Sequence, residues 1–213
     1  LLGFVAGTPD ARRQVYRLRH DCYLRNGSIQ AQPSGLFHDR YDEMPNHFSF
    51  LLQRDAEAVA TVRISVVHPE PGWTESPGSS VFGDHPALQE MARQSYVEAS
   101  RLCFGPQARR DAFVRLLGHK AALAELCKAE WLVACPRLEH TDVYVNLFGF
   151  RKMAAPRKYF GVNFETQLLA VRLAELAEHV KNARAMRNAW DAALESLMNA
   201  KGAQYESFRQ RAA

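Results

Sequence analysis

Apolar and polar residues recur along this chain in patterns that predict both helices and strands. Residues 9–25 follow a Thr-Pro-Asp helix start and place Val15, Leu18 and Cys22 on one helical face, with arginines between them. Residues 47–53 and 58–67 are two β-rich stretches joined by a short polar turn, which predicts an antiparallel hairpin. Residues 96–104 alternate in polarity and predict a third strand.

The second half of the chain continues the mixed order. A loop rich in Pro, Gly and Ser spans residues 69–86. After it we expect a helix at 87–93, the strand at 96–104, a helix at 109–129, a strand at 131–135, a helix at 138–149 and a strand at 164–171. From residue 172 to about residue 200 the pattern is helical, and Gly202 ends it. This order predicts an α+β fold with a mixed central sheet flanked by helices. We expect one domain at 1–171 and a C-terminal helical extension, residues 172–213, packed on that same domain.

The strand at 96–104 carries the most unusual polar residues. Simple alternation puts Glu98 and Ser100 on one side of the strand and Arg101 on the other, beside apolar neighbours. A charge inside a β-prone run needs a partner or a purpose. The pattern is therefore typical of a catalytic strand, and an edge strand with a solvated face explains it equally well.

Composition narrows the class of protein. The 213 residues suit one large domain or one domain with an appendage, and the net charge of +4 is too small to indicate nucleic-acid binding. No apolar run approaches the ~18 residues of a membrane helix, so we expect no stable membrane insertion. The four cysteines form no CxxC pair and have no histidine at metal-ligand spacing. They predict buried free thiols, no metal and a cytoplasmic location.

Several short segments together resemble a known family. They are residues 16–23 (Tyr-Arg-Leu-Arg-His-Asp-Cys-Tyr), 39–42 followed by 47–48, 61–63, 98–101 (Glu-Ala-Ser-Arg) and 144–150. In this order they resemble the N-acyl amino acid synthases of the GNAT superfamily, and more distantly the acyl-homoserine-lactone synthases. The resemblance covers residues 10–171 approximately. It implies a GNAT-like acyltransferase that moves a long-chain fatty acyl group from a thioester to the α-amine of an amino acid by direct attack.

The loop after the strand at 96–104 bears on the acyl donor. Many GNAT enzymes hold the CoA pyrophosphate with a glycine-rich loop at a helix N-terminus. Here residues 104–112 contain one glycine and a proline that donates no N–H. The expected donor is therefore an acyl-phosphopantetheine thioester on an acyl carrier protein, with no permanently bound cofactor. Carrier proteins are acidic, so the basic residues expected to face one are Arg109, Arg110, Arg115 and Lys120, unless this is only a solvated basic helix.

Three residues of the strand are candidates for the chemistry. Amide formation needs a proton acceptor because an α-amino group with a pKa near ~8 is mostly cationic at neutral pH. Glu98 is the expected base, and a structural salt bridge with Arg63 or Arg101 is the alternative. Ser100 and main-chain N–H groups near Cys103 are expected to stabilise the thioester oxygen. Arg101 is expected either to bind the carboxylate of the acceptor or to have a structural role.

The resemblance also implies one linked charge network around the acceptor. Its members are Arg19, Asp39, Asp42, Arg63, Glu98 and Arg101, with Tyr23 and Phe104 as further substrate-binding candidates. Of these, we expect Arg19 and Asp42 to have mainly structural roles rather than to contact the substrate. Cys103 is expected to be a packed thiol rather than an acylated nucleophile.

Two other functions remain open from the sequence. One is an acyl-homoserine-lactone synthase that uses S-adenosylmethionine, and the other is a non-catalytic GNAT-like module that binds a carrier or a lipid. The identity of the acceptor, the acyl chain length and the oligomeric state have no marker in the sequence.

Overall fold

A computed structural model describes residues 2–180 and 184–199 of the chain. Within these residues the strands are β1 (Leu2–Val5), β2 (His47–Arg54), β3 (Glu57–Val67), β4 (Tyr96–Phe104), β5 (Trp131–Ala134), β6 (Arg151–Lys152), β7 (Arg157–Lys158), β8 (Glu165–Thr166) and β9 (Leu169–Arg172). The helices are α1 (Pro9–Arg25), α2 (Pro77–Phe82), α3 (Pro86–Gln94), α4 (Arg110–Leu126), α5 (Thr141–Phe148), α6 (Leu173–Val180) and α7 (Arg184–Asn199). Short 3-10 segments lie at Arg40–Glu43 and Leu138–His140.

A mixed sheet forms the centre of the fold. Its strand order is β1-β2-β3-β4-β5-β9-β6, and among these described strands only β4 and β5 run parallel. The predicted hairpin is confirmed, since β2 and β3 pair antiparallel through a tight turn at Asp55 and Ala56, both with positive φ. The α+β fold with a mixed sheet and flanking helices is also confirmed.

Local details differ from the pattern. The loop at 69–86 contains α2, which begins with a capping box between Ser76 and Ser79 and a proline in its first turn. The strand expected at 164–171 is divided into β8, which pairs with β7, and β9, which joins the main sheet. The edge strand β1 was not predicted, because its pairing with β2 is a tertiary contact.

The two faces of the sheet differ in chemistry. One face carries Phe48, Phe50, Val62 and Ile64, which pack with residues of α4 in the main core. On the other face the strands β2, β3 and β4 contribute a polar layer, formed by His47, Ser49, Arg63, Ser65, Glu98 and Ser100. Helix α1 and the 3-10 segment at Arg40–Glu43 cover this second face. The polar layer is therefore enclosed within the fold.

Helix α7 packs along α4. At the contact, a Cβ on Gly118 would stand 2.7 Å from the carbonyl carbon and oxygen of Ala189, so the two backbones approach too closely for a side chain. The expected continuous helix from 172 to about 200 corresponds to α6 and α7. Residues 181–183, 200–213 and the end of the predicted extension lie outside the described residues.

Candidate functional site

A cavity opens where β4 and β5 separate. The two strands pair from Tyr96 and Trp131 to Ala99 and Ala134, after which β5 ends while β4 continues to Phe104. The space between residues 99–104 and 135–137 is a cavity of about 450 Å³, within the ~300–1,000 Å³ common for small-molecule sites. Its wall is largely apolar and aromatic, with contributions from Tyr23, Phe104, Phe113, Tyr144 and Phe164.

A β-bulge lies at the cavity wall. Arg63 pairs with Ser100 and Thr61 with Cys103, so Arg101 and Leu102 together face one residue of β3. Arg101 has φ 54°, a left-handed conformation that few residues other than glycine adopt. The bulge turns Arg101 toward the polar face. The expectation that Arg101 points away from Ser100 and Glu98 is therefore wrong, because a bulge breaks the alternation on which it rested.

Two aspartates and three arginines form a buried ion-pair network. Asp39 accepts from Arg63 Nη1 at 2.5 Å and from Arg101 Nη2 at 2.8 Å. Asp42 pairs with Arg19 Nη1 at 2.7 Å and with Arg63 Nη1 at 3.2 Å. The backbone N–H of Asp39 also donates to Asp42 Oδ2 at 3.0 Å, which joins the two carboxylates through one capped turn. Five of the six residues that the resemblance grouped are thus directly linked.

Burial and pairing together set the charges of this network. Arg19 and Arg63 are fully buried, so their charges need compensation from carboxylates. Burial alone would raise the pKa of Asp39, but the guanidinium groups of Arg63 and Arg101 hold that pKa well below its usual value. The pKa of Asp42 is also lowered, against its burial, by Arg19 and Arg63. Arg19, Asp42 and Arg63 therefore hold the cavity wall from behind rather than line it.

Aromatic rings surround Arg101, which does line the cavity. Its guanidinium carbon lies 4.7 Å from the ring centre of Phe37 and 5.5 Å from those of Tyr23 and Tyr159. Tyr159 was not predicted, and no local motif marks it. Its hydroxyl is buried and has no hydrogen-bond partner among the residues that the structure describes. Arg101 is held rigidly by Asp39 and these rings.

Ser100 lines the cavity, and a hydrogen bond from Arg63 orients its hydroxyl group. Arg63 Nε donates to Ser100 Oγ at 3.1 Å. Because the oxygen accepts this bond, the hydroxyl proton is left to donate elsewhere. Ser100 can therefore present a hydrogen-bond donor at the wall of the cavity.

Glu98 lies behind the cavity wall. It is fully buried, and its two carboxylate oxygens accept from the N–H of Gly78 at 3.0 and 2.9 Å. A Cβ on Gly78 would stand 2.6 Å from Glu98 Oε2, so a larger residue here would force the Glu98 carboxylate to shift. Burial raises the pKa of Glu98, although Ser76 and Gly78 oppose the shift. Ala99, the next residue along β4, lines the cavity, whereas Glu98 does not.

The basic residues predicted to face a carrier protein divide into two groups. Arg109 and Arg110 are exposed at the start of α4, and exposed Arg115 pairs with Asp111. Lys120 is 2% exposed, and its Nζ donates to the carbonyl oxygen of Val133 at 2.7 Å. The prediction that Lys120 contacts a partner is wrong, because residues 116–124 are buried on every face of the helix.

The described part of the chain has neither a metal-binding cluster nor a membrane-spanning helix. Within residues 2–180 and 184–199, no cluster of three or more His, Cys, Asp or Glu side chains is arranged to hold a metal ion. No helix in these same ranges has the length and apolar character needed to cross a membrane.

The chain matches one family model over most of its length. The family model described as N-acyl amino acid synthase FeeM matches residues 14–172, which include the cavity wall and the ion-pair network. The chain belongs to the FeeM family of N-acyl amino acid synthases. It is accordingly an acyltransferase, as the segments in the sequence predicted. No curated protein sequence matches the chain.

Solved structures share the fold of this FeeM-family chain at low sequence identity. FeeM, an N-acyl amino acid synthase from uncultured soil microbes, matches with a TM-score of 0.69 and 17% identity, covering 84% of this chain and 93% of FeeM. The CoA-dependent acyl-homoserine lactone synthase BjaI matches with a TM-score of 0.58 and 15% identity, covering 90% and 87%. A putative N-acetyltransferase from Lactobacillus plantarum matches with a TM-score of 0.55 and 16% identity, covering 81% and 97%. These matches establish the GNAT-like fold.

Proposed function

We propose that the protein transfers a long-chain fatty acyl group from the phosphopantetheine thioester of an acyl carrier protein to the α-amine of an amino acid. The observation that carries the proposal is the cavity between β4 and β5, whose wall combines apolar rings with Ser100 and Arg101. A thioester carbonyl placed at the bulge would have its acyl chain against Phe104, Phe113 and Tyr144. The amino acid would then approach from the side of Arg101.

The loop before α4 supports a carrier protein rather than CoA as donor. The N–H groups of Gly105 and Ala108 donate to the carbonyl oxygens of Val59 and Gly105, and Pro106 has no N–H. This loop therefore has fewer free N–H donors for a pyrophosphate than a glycine-rich loop would have. A phosphopantetheine carries a single phosphate, for which Arg25 and Arg137 at the cavity provide positive charge. Exposed Arg109, Arg110 and Arg115 suit an acidic carrier surface.

Two residues of β4 suit the transition state. The free hydroxyl proton of Ser100 can donate to the thioester oxygen as it becomes negative. Arg101 uses Nε and one N–H of Nη2 for Asp39. Its remaining N–H groups can bind the carboxylate of the acceptor, and the rings around it fix the angle of the fork.

Glu98 serves in this proposal as the base, through an intervening water rather than by direct contact. Its raised pKa favours the role, because a base works best with a pKa near the working pH. Its position behind Ala99 and Ser100 excludes direct contact with an amine in the cavity. A purely structural role, as the anchor of Gly78, is the competing explanation.

The test of the donor and acceptor uses purified full-length protein with two matched donors. Acyl carrier protein and CoA, each loaded with the same fatty acyl group, are incubated with a mixture of amino acids, and products are identified by mass spectrometry. We expect an N-acyl amino acid from the carrier donor at a kcat/KM at least about tenfold above that from the CoA donor. Equal or better use of acyl-CoA would reject the carrier assignment. An acyl lactone formed only with S-adenosylmethionine would reject the amino acid acceptor.

Replacing Glu98 by Gln tests the base. Gln keeps an oxygen to accept from Gly78, so folding and donor binding should be preserved. Loss of a general base is expected to lower kcat by about 10²–10⁴ and to remove the acidic limb of the pH–rate profile. A variant with a modest loss and an unchanged pH profile would assign Glu98 to the scaffold. A chain that binds carrier or lipid with no turnover in either form would be a binding module.

A further inference from the structure

Two cysteine thiols meet at the wall of the cavity. Cys22 on α1 and Cys103 on β4 are each 4% exposed, pack with Leu18 in one small cluster, and both line the cavity. Cys22 Sγ donates to the carbonyl oxygen of Phe104 at 3.2 Å, which fixes it beside the last residue of β4. Cys135, the residue after β5, lines the same cavity from the opposite side, near Gly78 and Glu98.

The surroundings of Cys22 favour its thiolate. A hydrogen bond from the thiol of Cys103 lowers the pKa of Cys22, and the guanidinium of Arg25 adds to the effect against the cost of burial. Arg25 Nη2 lies 3.4 Å from Cys22 Sγ and also donates to the carbonyl oxygen of Phe104 at 3.2 Å. Burial raises the pKa of Cys103, Cys127 and Cys135. Cys22 is therefore the reactive member of a pair of adjacent thiols.

We propose that Cys22 and Cys103 are a redox-modification site, at which a low-molecular-weight disulfide such as oxidised glutathione converts the two thiols into one reversible disulfide. The geometry that supports this is the contact of two thiols beside a cationic side chain, at a cavity that a small peptide can approach. The neighbouring arginine can also attract the carboxylates of glutathione.

The reaction consists of two thiol–disulfide exchanges. The thiolate of Cys22 attacks one sulfur of oxidised glutathione, forms a mixed disulfide and releases one glutathione thiolate. The thiolate of Cys103 then attacks the sulfur of Cys22 and releases the second glutathione. The two protons of the protein thiols end on the two glutathione molecules. Two thiols and one disulfide thus give one disulfide and two thiols, and no other oxidant is needed.

The disulfide would change the cavity that binds the donor. Cys22 would lose its hydrogen bond to the carbonyl of Phe104, and α1 would be joined covalently to β4 next to the Arg101 bulge. A small displacement of reacting groups at such a wall is enough to slow the chemistry. This consequence, but not the disulfide itself, rests on the proposed function.

Peptide mapping of the folded protein tests the disulfide independently of activity. The reduced chain is equilibrated with mixtures of reduced and oxidised glutathione, trapped with an alkylating agent, and digested. We expect a peptide pair linked through Cys22 and Cys103, reversed by dithiothreitol, while Cys127 and Cys135 remain alkylated. Stable glutathionylation of Cys22 without the internal link, or linkage of other cysteine pairs, would overturn the proposal. Wild-type protein suffices for this result, so a variant that fails to fold does not weaken it.

Activity assays on wild type and cysteine variants test whether the disulfide slows the reaction with the acyl donor. With wild type and with Cys127→Ser as the matched control, oxidation is expected to lower kcat/KM for the acyl carrier donor by at least about tenfold. Cys22→Ser should show the same activity before and after the treatment. Cys103→Ser should instead retain one glutathione on Cys22, because the second thiol that would release it is absent. Full activity of the linked protein would reject the effect on donor use. If no synthase activity is found at all, the mapped disulfide still supports the modification site, and only the proposed function fails.

Discussion

The buried amine of Lys120 predicts a dependence of stability on pH that one substitution should remove. Burial lowers the pKa of Lys120 from its ordinary 10.5 to about 7, although Glu98 and Cys135 act in the opposite direction. Its Nζ donates to Val133 and lies 5.0 Å from the ring centre of Phe150, and among the described residues it forms no ion pair with a carboxylate. Lys120→Met keeps the length and shape of the side chain and removes the titrating group.

The sign and size of this pH dependence follow from the pKa of Lys120 in the folded and in the unfolded chain. Between the folded pKa and the unfolded pKa, the unfolded chain binds a proton that the folded chain does not bind. Stability therefore rises with pH across this window and is lost as the pH falls toward 7. The full difference is (10.5 − 7) × ~1.36, or ~5 kcal/mol, of which about 2 kcal/mol falls between about pH 7 and about pH 9. Lys120 is 2% exposed, so solvent screening makes no large discount.

Urea denaturation at about pH 7 and about pH 9 measures the effect. The free energy of unfolding of wild type should increase by about 2 kcal/mol more than that of Lys120→Met over this interval, because other titrating groups cancel in the comparison. The variant is expected to be the more stable protein at the lower pH. Parallel pH dependences for the two proteins would refute the argument and show that Lys120 is protonated in the folded chain.

Three other predictions follow from the packing and charges. Gly118→Ala should lower the free energy of unfolding by about 1–3 kcal/mol in urea denaturation, because the new Cβ meets the backbone of Ala189. Without this clash, replacing glycine by alanine inside a helix usually stabilises it by ~1 kcal/mol. Gly7→Ala is the control and should change the stability little, because a Cβ on Gly7 has no neighbour within 4 Å. Asp39→Asn should destabilise the protein by about 3 kcal/mol, since it removes the carboxylate that pairs with both Arg63 and Arg101 and leaves Asp42 as the carboxylate still paired with buried Arg63. Because the pKa of Asp39 is depressed, wild type alone should lose this contribution as the pH falls below 3.8, and equal acid sensitivity of the two proteins would contradict the assignment. Phe113→Ala should shift the products toward longer acyl chains in a competition assay read by mass spectrometry. Phe113 packs with Phe104 and Tyr144 at the cavity wall, so removing its ring enlarges the cavity. Phe160→Ala removes an exposed ring and should leave the product distribution unchanged.

The candidate site was only partly predictable from local sequence. Asp39, Asp42, Arg63 and Arg101 could be grouped because the resemblance carries their order along the chain. Their contacts depend on residues brought together from α1, the 3-10 segment with its cap, and the two strands β3 and β4. Lys120 shows the opposite case. A lysine on a helix is usually solvated, but the surrounding run of leucines and alanines at 116–124 was a signal that this part of α4 is covered on all sides.

The sequence by itself determined the features that depend on neighbouring residues: the β2–β3 hairpin, the amphipathic face of α1, the order of the longer helices and strands, and the segments that mark the FeeM family. Tertiary structure decided the features that depend on residues far apart. The bulge at Arg101 exists because β3 and β4 pair with unequal numbers of residues, and Glu98 is enclosed because Gly78 allows a backbone N–H to reach both of its oxygens. The contact between Cys22 and Cys103 likewise requires α1 to lie across β4. Alternation along a strand records which side chains share a face, whereas burial and pairing are set by what the rest of the chain places against that face.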